Sequence, residues 1–236
     1  MKKVLVIAGL TASGKTALSL EWAKQFNGEI INGDSQQVYK GLNIGTAKIK
    51  EEEKQGIPHH LLDICDINEN FHVKAFQSLC RAKIDEIIDR AHLPILVGGT
   101  GLYLKAALYD YEFSEDHFEQ DDFEGIENEE LYQWLLELDP KSCETIHVNN
   151  RKRIVRALNI AKSGKTKTER IEAQAQKELY DVMWIVLAPA KESLDQRIKQ
   201  RVDIMFNEGL QKEVEHYFSE PNTRNYQSFQ AIGYRE

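Results

Sequence analysis

Short apolar runs alternating with longer segments of helical period set the plan of the first part of the chain. Residues 4–8 (Val-Leu-Val-Ile-Ala) predict a buried strand, followed by a glycine-rich turn and a helix over about 16–26. A second short strand is predicted at 29–32, ending at Gly33-Asp34-Ser35, and 41–54 reads as a polar loop closing in a helical turn. Phe71, Ala75, Leu79, Ile84, Ile87 and Ile88 recur at helical spacing and predict a helix over 71–90. A third strand at 93–97 stops at Gly98-Gly99, with a helix through 102–108 behind it. Such alternation of strand and helix predicts a parallel sheet covered by helices.

The middle of the chain breaks this rhythm. Residues 129–138 and 150–161 both read as helices with no strand between them, and the acidic stretch ahead of them reads as a mobile loop. Sheet character returns at 183–187, and 193–206 and 210–218 look helical. The expected architecture is an α/β core at 1–110 and 181–236, interrupted by a helical insertion over 111–180. Trp134 and Trp184 are expected in the core.

Composition narrows the class. The 236 residues are 42% hydrophobic and 29% charged, which fits a packed domain and excludes disordered or collagen-like chains. No apolar run approaches the ~20 residues of a membrane span, and Gly9 and Lys15 cut the first one short of a signal peptide. Cys65, Cys80 and Cys143 are odd in number and widely spaced, offering neither a disulfide framework nor a zinc motif. The expected compartment is the cytoplasm, and the expected state a monomer with no membrane partner.

The net charge of −8 argues against a non-specific nucleic-acid binder, but the charge is segregated. Residues 110–140 carry acids and no Lys or Arg. In 141–170, by contrast, Lys141, Arg151, Lys152, Arg153, Arg156, Lys162, Lys165, Lys167 and Arg170 oppose only Glu144 and Glu169. This block is either a solvated helical face or a local polyanion site.

Gly9-Leu10-Thr11-Ala12-Ser13-Gly14-Lys15-Thr16 is a complete G-x-x-x-x-G-K-[ST] phosphate loop, placed after a strand and at the start of a helix. Its N–H groups and the helix N-terminus suit a di- or triphosphate, Lys15 adds a charge, and the Thr16 hydroxyl can ligate Mg²⁺. The core is therefore expected to be like that of the P-loop nucleotide-binding enzymes. An enzyme of that class that hydrolyses ATP usually needs a carboxylate at a strand end for the metal, whereas the strand at 93–97 ends in Gly98-Gly99-Thr100-Gly101.

Asp34 follows the second strand at the sheet edge where such folds place their sites, within Asp34-Ser35-Gln36-Gln37-Val38-Tyr39. From spacing alone it is either a catalytic carboxylate or a helix N-cap. His59 and His60 lie in a polar cluster at 58–63 and read as lining or bracing a pocket. Arg197 and Arg201, four apart on one helix face, either clamp a pyrophosphate or pair with Glu192 and Asp195.

These motifs resemble the tRNA dimethylallyltransferase (tRNA isopentenyltransferase) family over nearly the whole chain. The resemblance runs through 9–16, 34–39, Gly41-Leu42-Asn43-Ile44-Gly45-Thr46-Ala47-Lys48, 58–63, Gly98-Gly99-Thr100-Gly101-Leu102-Tyr103, 149–158, 197–205 and 230–236. It implies transfer of a dimethylallyl group from dimethylallyl diphosphate to N6 of the adenosine 3′ of the anticodon. Residues 9–16 would hold the diphosphate with Mg²⁺, Asp34 would act as general base, and Thr100 would lie near the base. Arg201 or Arg197 would clamp the diphosphate. Asp34, Ser35, Gln36, Gln37 and Thr100, with Lys152, Arg153, Ile154, Val155 and Arg156, would touch tRNA, making the helical insertion the tRNA-facing part. Phe71-His72-Val73 departs from the family's usual Phe-Ser-Val type, and 236 falls inside a family motif that members continue with a basic helical stretch. The competing readings are a P-loop nucleoside or nucleotide kinase and a non-catalytic RNA-binding module.

Overall fold

The computed structural model describes residues 1–111, 113, 123–173, 177–219 and 222–236, which form two units: 1–109 with 178–236, and 110–177. The first unit runs β1 (Lys3–Gly9), α1 (Lys15–Gln25), β2 (Gly28–Asn32), β3 (His59–His60), α2 (Val73–Asp89), β4 (Leu93–Gly98) and α3 (Gly101–Leu108). It resumes after the insertion with β5 (Asp181–Leu187), α8 (Lys191–Glu208) and α9 (Leu210–Phe218). The second unit holds α4 (Asn128–Leu138), α5 (Pro140–Cys143), α6 (Arg151–Lys162) and α7 (Lys167–Ala173).

Among the described residues all strand pairs are parallel, in the order β3-β2-β4-β1-β5, with Leu5 facing Ile95 on one side and Met183 on the other. Strand periodicity sorts the apolar residues onto two faces. Val4, Val6, Ile31 and Leu96 pack with α2 and α3, whereas Leu5, Ile7, Ile30 and Ile95 pack with Leu20 and Ala23 of α1. On α2 the buried stripe is Phe76, Cys80, Ile84 and Ile87, while Ala75 and Leu79 face outward, so the true stripe lies one position from part of the expected one.

The strand ends converge tightly. A Cβ on Gly98 would stand 2.6 Å from the Gly33 carbonyl oxygen, and Gly33 N–H donates to the Val97 carbonyl at 2.7 Å. Glycine is what lets β2 and β4 end side by side at the site.

Two expectations change. Trp184 is exposed, with Met183 and Val186, because β5 is the last strand of the sheet and pairs only with β1 among the described residues. The units divide at 109/110 and 177/178 rather than at 110/111 and 180/181. Leu179 N–H donates to the Leu108 carbonyl and Tyr180 is buried in the α/β core, so 178–180 belong to the first unit.

In the helical unit, α4 and α6 bury Leu131, Leu135, Ile154, Val155, Ala157 and Leu158 around Phe123 and Ile146, with Trp134 packed partly buried against them. Two short helices, α5 and α7, add to the two expected there. Asp139, buried, explains both: it caps α5 by accepting from Ser142 N–H and Oγ, and it accepts from Thr168 N–H (3.0 Å) and Thr168 Oγ1 (2.5 Å) at the start of α7. The expected mobile loop at 112 and 114–122 lies outside the described residues.

Candidate active site

The phosphate loop turns out of β1 into α1 through two left-handed residues, Ala12 (φ 61°) and Gly14 (φ 99°), the latter the N-cap. Lys15 folds back over this turn, its Nζ donating to the carbonyls of Gly9 (2.8 Å) and Leu10 (2.6 Å). Burial lowers its pKa, with the Asp34 carboxylate opposing and the Arg201 guanidinium adding to that effect. Arg201 is itself lowered by burial and raised by Asp34. Three charges from α1, the end of β2 and α8 thus meet within electrostatic reach.

Asp34 caps no helix. It closes an Asx turn in which Oδ1 accepts from Gln36 N–H at 2.8 Å, and among the described residues Oδ2 takes no hydrogen bond. The buried Asn32 side chain holds that turn from below, accepting from Asp34 N–H and donating to the Asp34 and Leu61 carbonyls. Gln37 donates to the Thr46 carbonyl at 3.0 Å. Lys48, buried, donates to the Tyr39 carbonyl, Asn43 Oδ1 and Asp63 Oδ1, which ties the 34–39 turn to the 41–48 loop.

Glu213 on α9 anchors that loop in turn. Its carboxylate accepts from the N–H groups of Asn43, Ile44 and Gly45 and from the hydroxyl of the buried Tyr234. Sequence reasoning missed Glu213, since an acid on an amphipathic helix carries no signal of partners some 170 residues away.

The remaining residues sort clearly. Buried Ser13 Oγ, Gln36 Oε1 and Arg201 Nε have no hydrogen-bond partner among the described residues, a state that a polar ligand relieves. Arg197 is exposed and makes no ion pair with Glu192 or Asp195. Thr11 and Thr16 are exposed on the loop, and Thr100, the N-cap of α3, leaves its hydroxyl out of the cap. His60 and His92 bond to Glu29, and His59 Nδ1 to the Ile57 carbonyl, so the histidine pair braces the β3 edge.

Among the described residues no group of three or more His, Cys, Asp or Glu side chains can hold a metal ion. Thr11, Ser13 and Thr16 all bring hydroxyls to the loop, and that of Thr16, at the start of α1, suits Mg²⁺ held mostly by phosphate oxygens of a ligand.

On α6, helical period divides the basic stretch. Lys152, Arg153 and Arg156 are exposed, but Ile154 and Val155 are buried in the helical core, so their side chains are removed from the expected RNA contacts. Arg151 is also committed, donating to the Ile126 and Phe123 carbonyls and to Asn128 Oδ1.

The IPP transferase family model matches residues 37–236. A tRNA dimethylallyltransferase of Anoxybacillus flavithermus is 50% identical over 240 residues, covering 100% of this chain and 76% of that protein. That of Bacillus subtilis is 46% identical over 241 residues, covering 99% and 76%. Among solved structures, the full-length tRNA isopentenylpyrophosphate transferase of Bacillus halodurans superposes with a TM-score of 0.72 at 40% identity, covering 100% of this chain and 76% of that one. A eukaryotic dimethylallyltransferase acting on tRNA superposes with a TM-score of 0.83 at 33% identity, covering 100% and 62%.

Proposed function

Since the chain belongs to the tRNA dimethylallyltransferase family, we propose that it moves a dimethylallyl group from dimethylallyl diphosphate to N6 of the adenosine 3′ of the anticodon in tRNA, position 37. The observation that carries this reading is the meeting of Lys15, Asp34 and Arg201 beside a phosphate loop whose strand neighbour β4 ends in glycine. A site with no carboxylate at that strand end, but with one opposite the phosphate cradle, suits breakage of a carbon–oxygen bond better than phosphoryl transfer.

The chemistry balances on these residues. The bond between C1 of the dimethylallyl group and the diphosphate oxygen breaks, and its electron pair leaves with the diphosphate. The bond from N6 to C1 forms, and the N6 proton passes to Asp34. The N6 lone pair is delocalised into the purine, so a carboxylate that takes its hydrogen makes it nucleophilic and sets its direction. Lys15, the N–H groups of the loop and Arg201 stabilise charge on the leaving diphosphate, and Arg201 Nε and Ser13 Oγ gain partners there. Thr16 would hold Mg²⁺, which neutralises further charge on the same oxygens when bound. Ser35, Gln36, Gln37 and Thr100, with Lys152, Arg153 and Arg156, remain as contacts for tRNA. The adenosine must leave the loop stack, at a cost of a few kcal/mol that is least for an unpaired base.

The test supplies tRNA with radiolabelled dimethylallyl diphosphate, and separately nucleosides with γ-labelled ATP. Label is expected in tRNA in the first reaction alone. Phosphorylated nucleoside without prenylated tRNA would make the chain a kinase, and no transfer in either would make it a binding module.

A further inference from the structure

Asp34 lies just past the end of β2, and the side chain that grips it comes from the strand itself. Asn32 is the last residue of β2, level with Val97 on β4, so its backbone is held by the sheet. Its side chain is buried and makes three hydrogen bonds. Oδ1 accepts from Asp34 N–H at 3.1 Å, while Nδ2 donates to the Asp34 carbonyl at 3.1 Å and to the Leu61 carbonyl at 3.0 Å. Leu61 has a left-handed backbone (φ 61°), which costs a leucine energy, and residues held that way cluster at functional sites.

These bonds leave Asp34 little freedom. One amide grips its N–H and its carbonyl together, which restrains the backbone on both sides of its Cα. The Gln36 N–H then holds Oδ1 at 2.8 Å and restrains the carboxylate. Oδ2 is thereby kept in one place without being spent. An Asx turn closes with the side-chain bond alone, so the clamp from Asn32 adds definition of place to a turn that already has its closing bond. Both hydrogens of Asn32 Nδ2 are committed, and among the described residues its side chain bonds to Asp34 and Leu61 only. Its route to the reaction therefore runs through Asp34.

We propose that Asn32 is the positioning residue of the active site, fixing the place from which Asp34 takes the N6 proton. This deepens the reading of Asp34 as general base and rests on it. A misplacement of about 1 Å at a reacting group costs on the order of 10²-fold in rate, so freeing the Asp34 backbone should be felt in kcat.

The experiment is a double-mutant cycle in which prenyl transfer to tRNA is measured at saturating substrates for the parent, Asn32→Ala, Asp34→Ala and the double variant. A thermal melt of each corrects the rates for folded fraction. Asn32→Ala is expected to lower kcat about 10- to 100-fold and to leave the KM for dimethylallyl diphosphate within about two-fold. In the Asp34→Ala background the same substitution should change kcat by less than about two-fold, because no carboxylate is left to position. A merely structural role would instead multiply the two losses. Asn32→Asp keeps the shape of the side chain and still accepts from Asp34 N–H, but an ionised carboxylate cannot donate to the two carbonyls. It should repeat the pattern of Asn32→Ala, and it takes its place in the cycle if Asn32→Ala fails to fold. Parental kcat in the Asn32 variants, or equal losses with and without Asp34, would overturn the positioning role while leaving the function intact. A parent that transfers no prenyl group, or an Asp34→Ala variant of parental kcat, removes the reading beneath the proposal and the proposal with it.

Discussion

The two ends of β2 carry carboxylates put to opposite uses. At its start, Glu29 is buried and saturated: Arg90 donates to both of its oxygens, at 3.1 and 2.8 Å, while His60 and His92 each bond to one of them. Burial alone would push the Glu29 pKa up, but the bonds from Arg90, His60 and His92 outweigh it and hold the pKa at about 2. Just beyond the other end, Asp34 spends Oδ1 on its own turn and leaves Oδ2 uncommitted among the described residues, within electrostatic reach of Lys15 and Arg201. A carboxylate whose every lone pair is taken can only hold structure. One with a free oxygen beside a phosphate cradle can take a proton.

The largest effect should separate them by activity. Asp34→Ala is expected to lower kcat by about 10²–10⁴-fold, the usual worth of a general base, with the affinity for dimethylallyl diphosphate nearly unchanged. Prenyl transfer measured at saturating substrates checks this. A kcat within a few-fold of the parent would return Asp34 to a purely structural role.

Next comes the stability of the saturated end. Because the folded Glu29 carboxyl sits at about 2 against 4.5 when free, the unfolded chain takes up the proton first as the pH falls. The contribution is therefore full above about pH 4.5 and is lost progressively down to about pH 2. At roughly 1.4 kcal/mol per unit it amounts to no more than about 3.5 kcal/mol, less for the solvent around Arg90. Glu29→Gln should remove that part of the acid dependence in urea melts at pH 6 and pH 3. If parent and variant lose stability equally between those pH values, the cluster contributes nothing to acid sensitivity.

How much of this contrast the amino-acid sequence reveals depends on the kind of signal each residue carries. The strands β1, β2 and β4 are legible as apolar runs ended by glycine, and Lys15 and Asp34 follow from the phosphate loop and the strand end. β3 is two histidines with no apolar pattern, and its place comes from pairing Ile30 and Ile31 across the sheet, which periodicity does not encode. Short α5 and α7 depend on one buried carboxylate, Asp139, rather than on an apolar face. The stretch 152–156 reads as one contiguous contact, yet 3.6 residues per turn sends Ile154 and Val155 inward and leaves Arg153 and Arg156 outside. Glu213 and Glu29 look like surface acids because their partners are distant in the chain.

A smaller effect on the active side should come from Lys15. Lys15→Ala removes the ammonium that turns back over the loop, and the lost charge-assisted bonds to the diphosphate are worth roughly 1.5–3 kcal/mol. Affinity for dimethylallyl diphosphate, measured by calorimetry, should fall about 10- to 100-fold at that energy. Unaltered affinity would exclude the loop as the donor site.

The smallest expected change concerns the stability of Asp34→Asn, and it sharpens the comparison most. The amide oxygen of asparagine can accept the same Gln36 N–H, and Asn serves about as well as Asp in turns that need a side-chain acceptor. Unfolding free energy should therefore shift by less than about 0.5 kcal/mol, since nothing buried loses a partner. Activity should fall nonetheless, because an amide cannot hold the N6 proton. At the other end of β2 the same exchange of carboxylate for amide strips Arg90, His60 and His92 of their counter-charge, so Glu29→Gln should cost stability. A denaturation curve and a rate for each of the two variants decide the matter. The pattern expected is activity lost without stability at Asp34, and stability lost at Glu29. If Asp34→Asn instead unfolds the protein as readily as Glu29→Gln, the free oxygen of Asp34 has a structural duty, and the proton must go elsewhere.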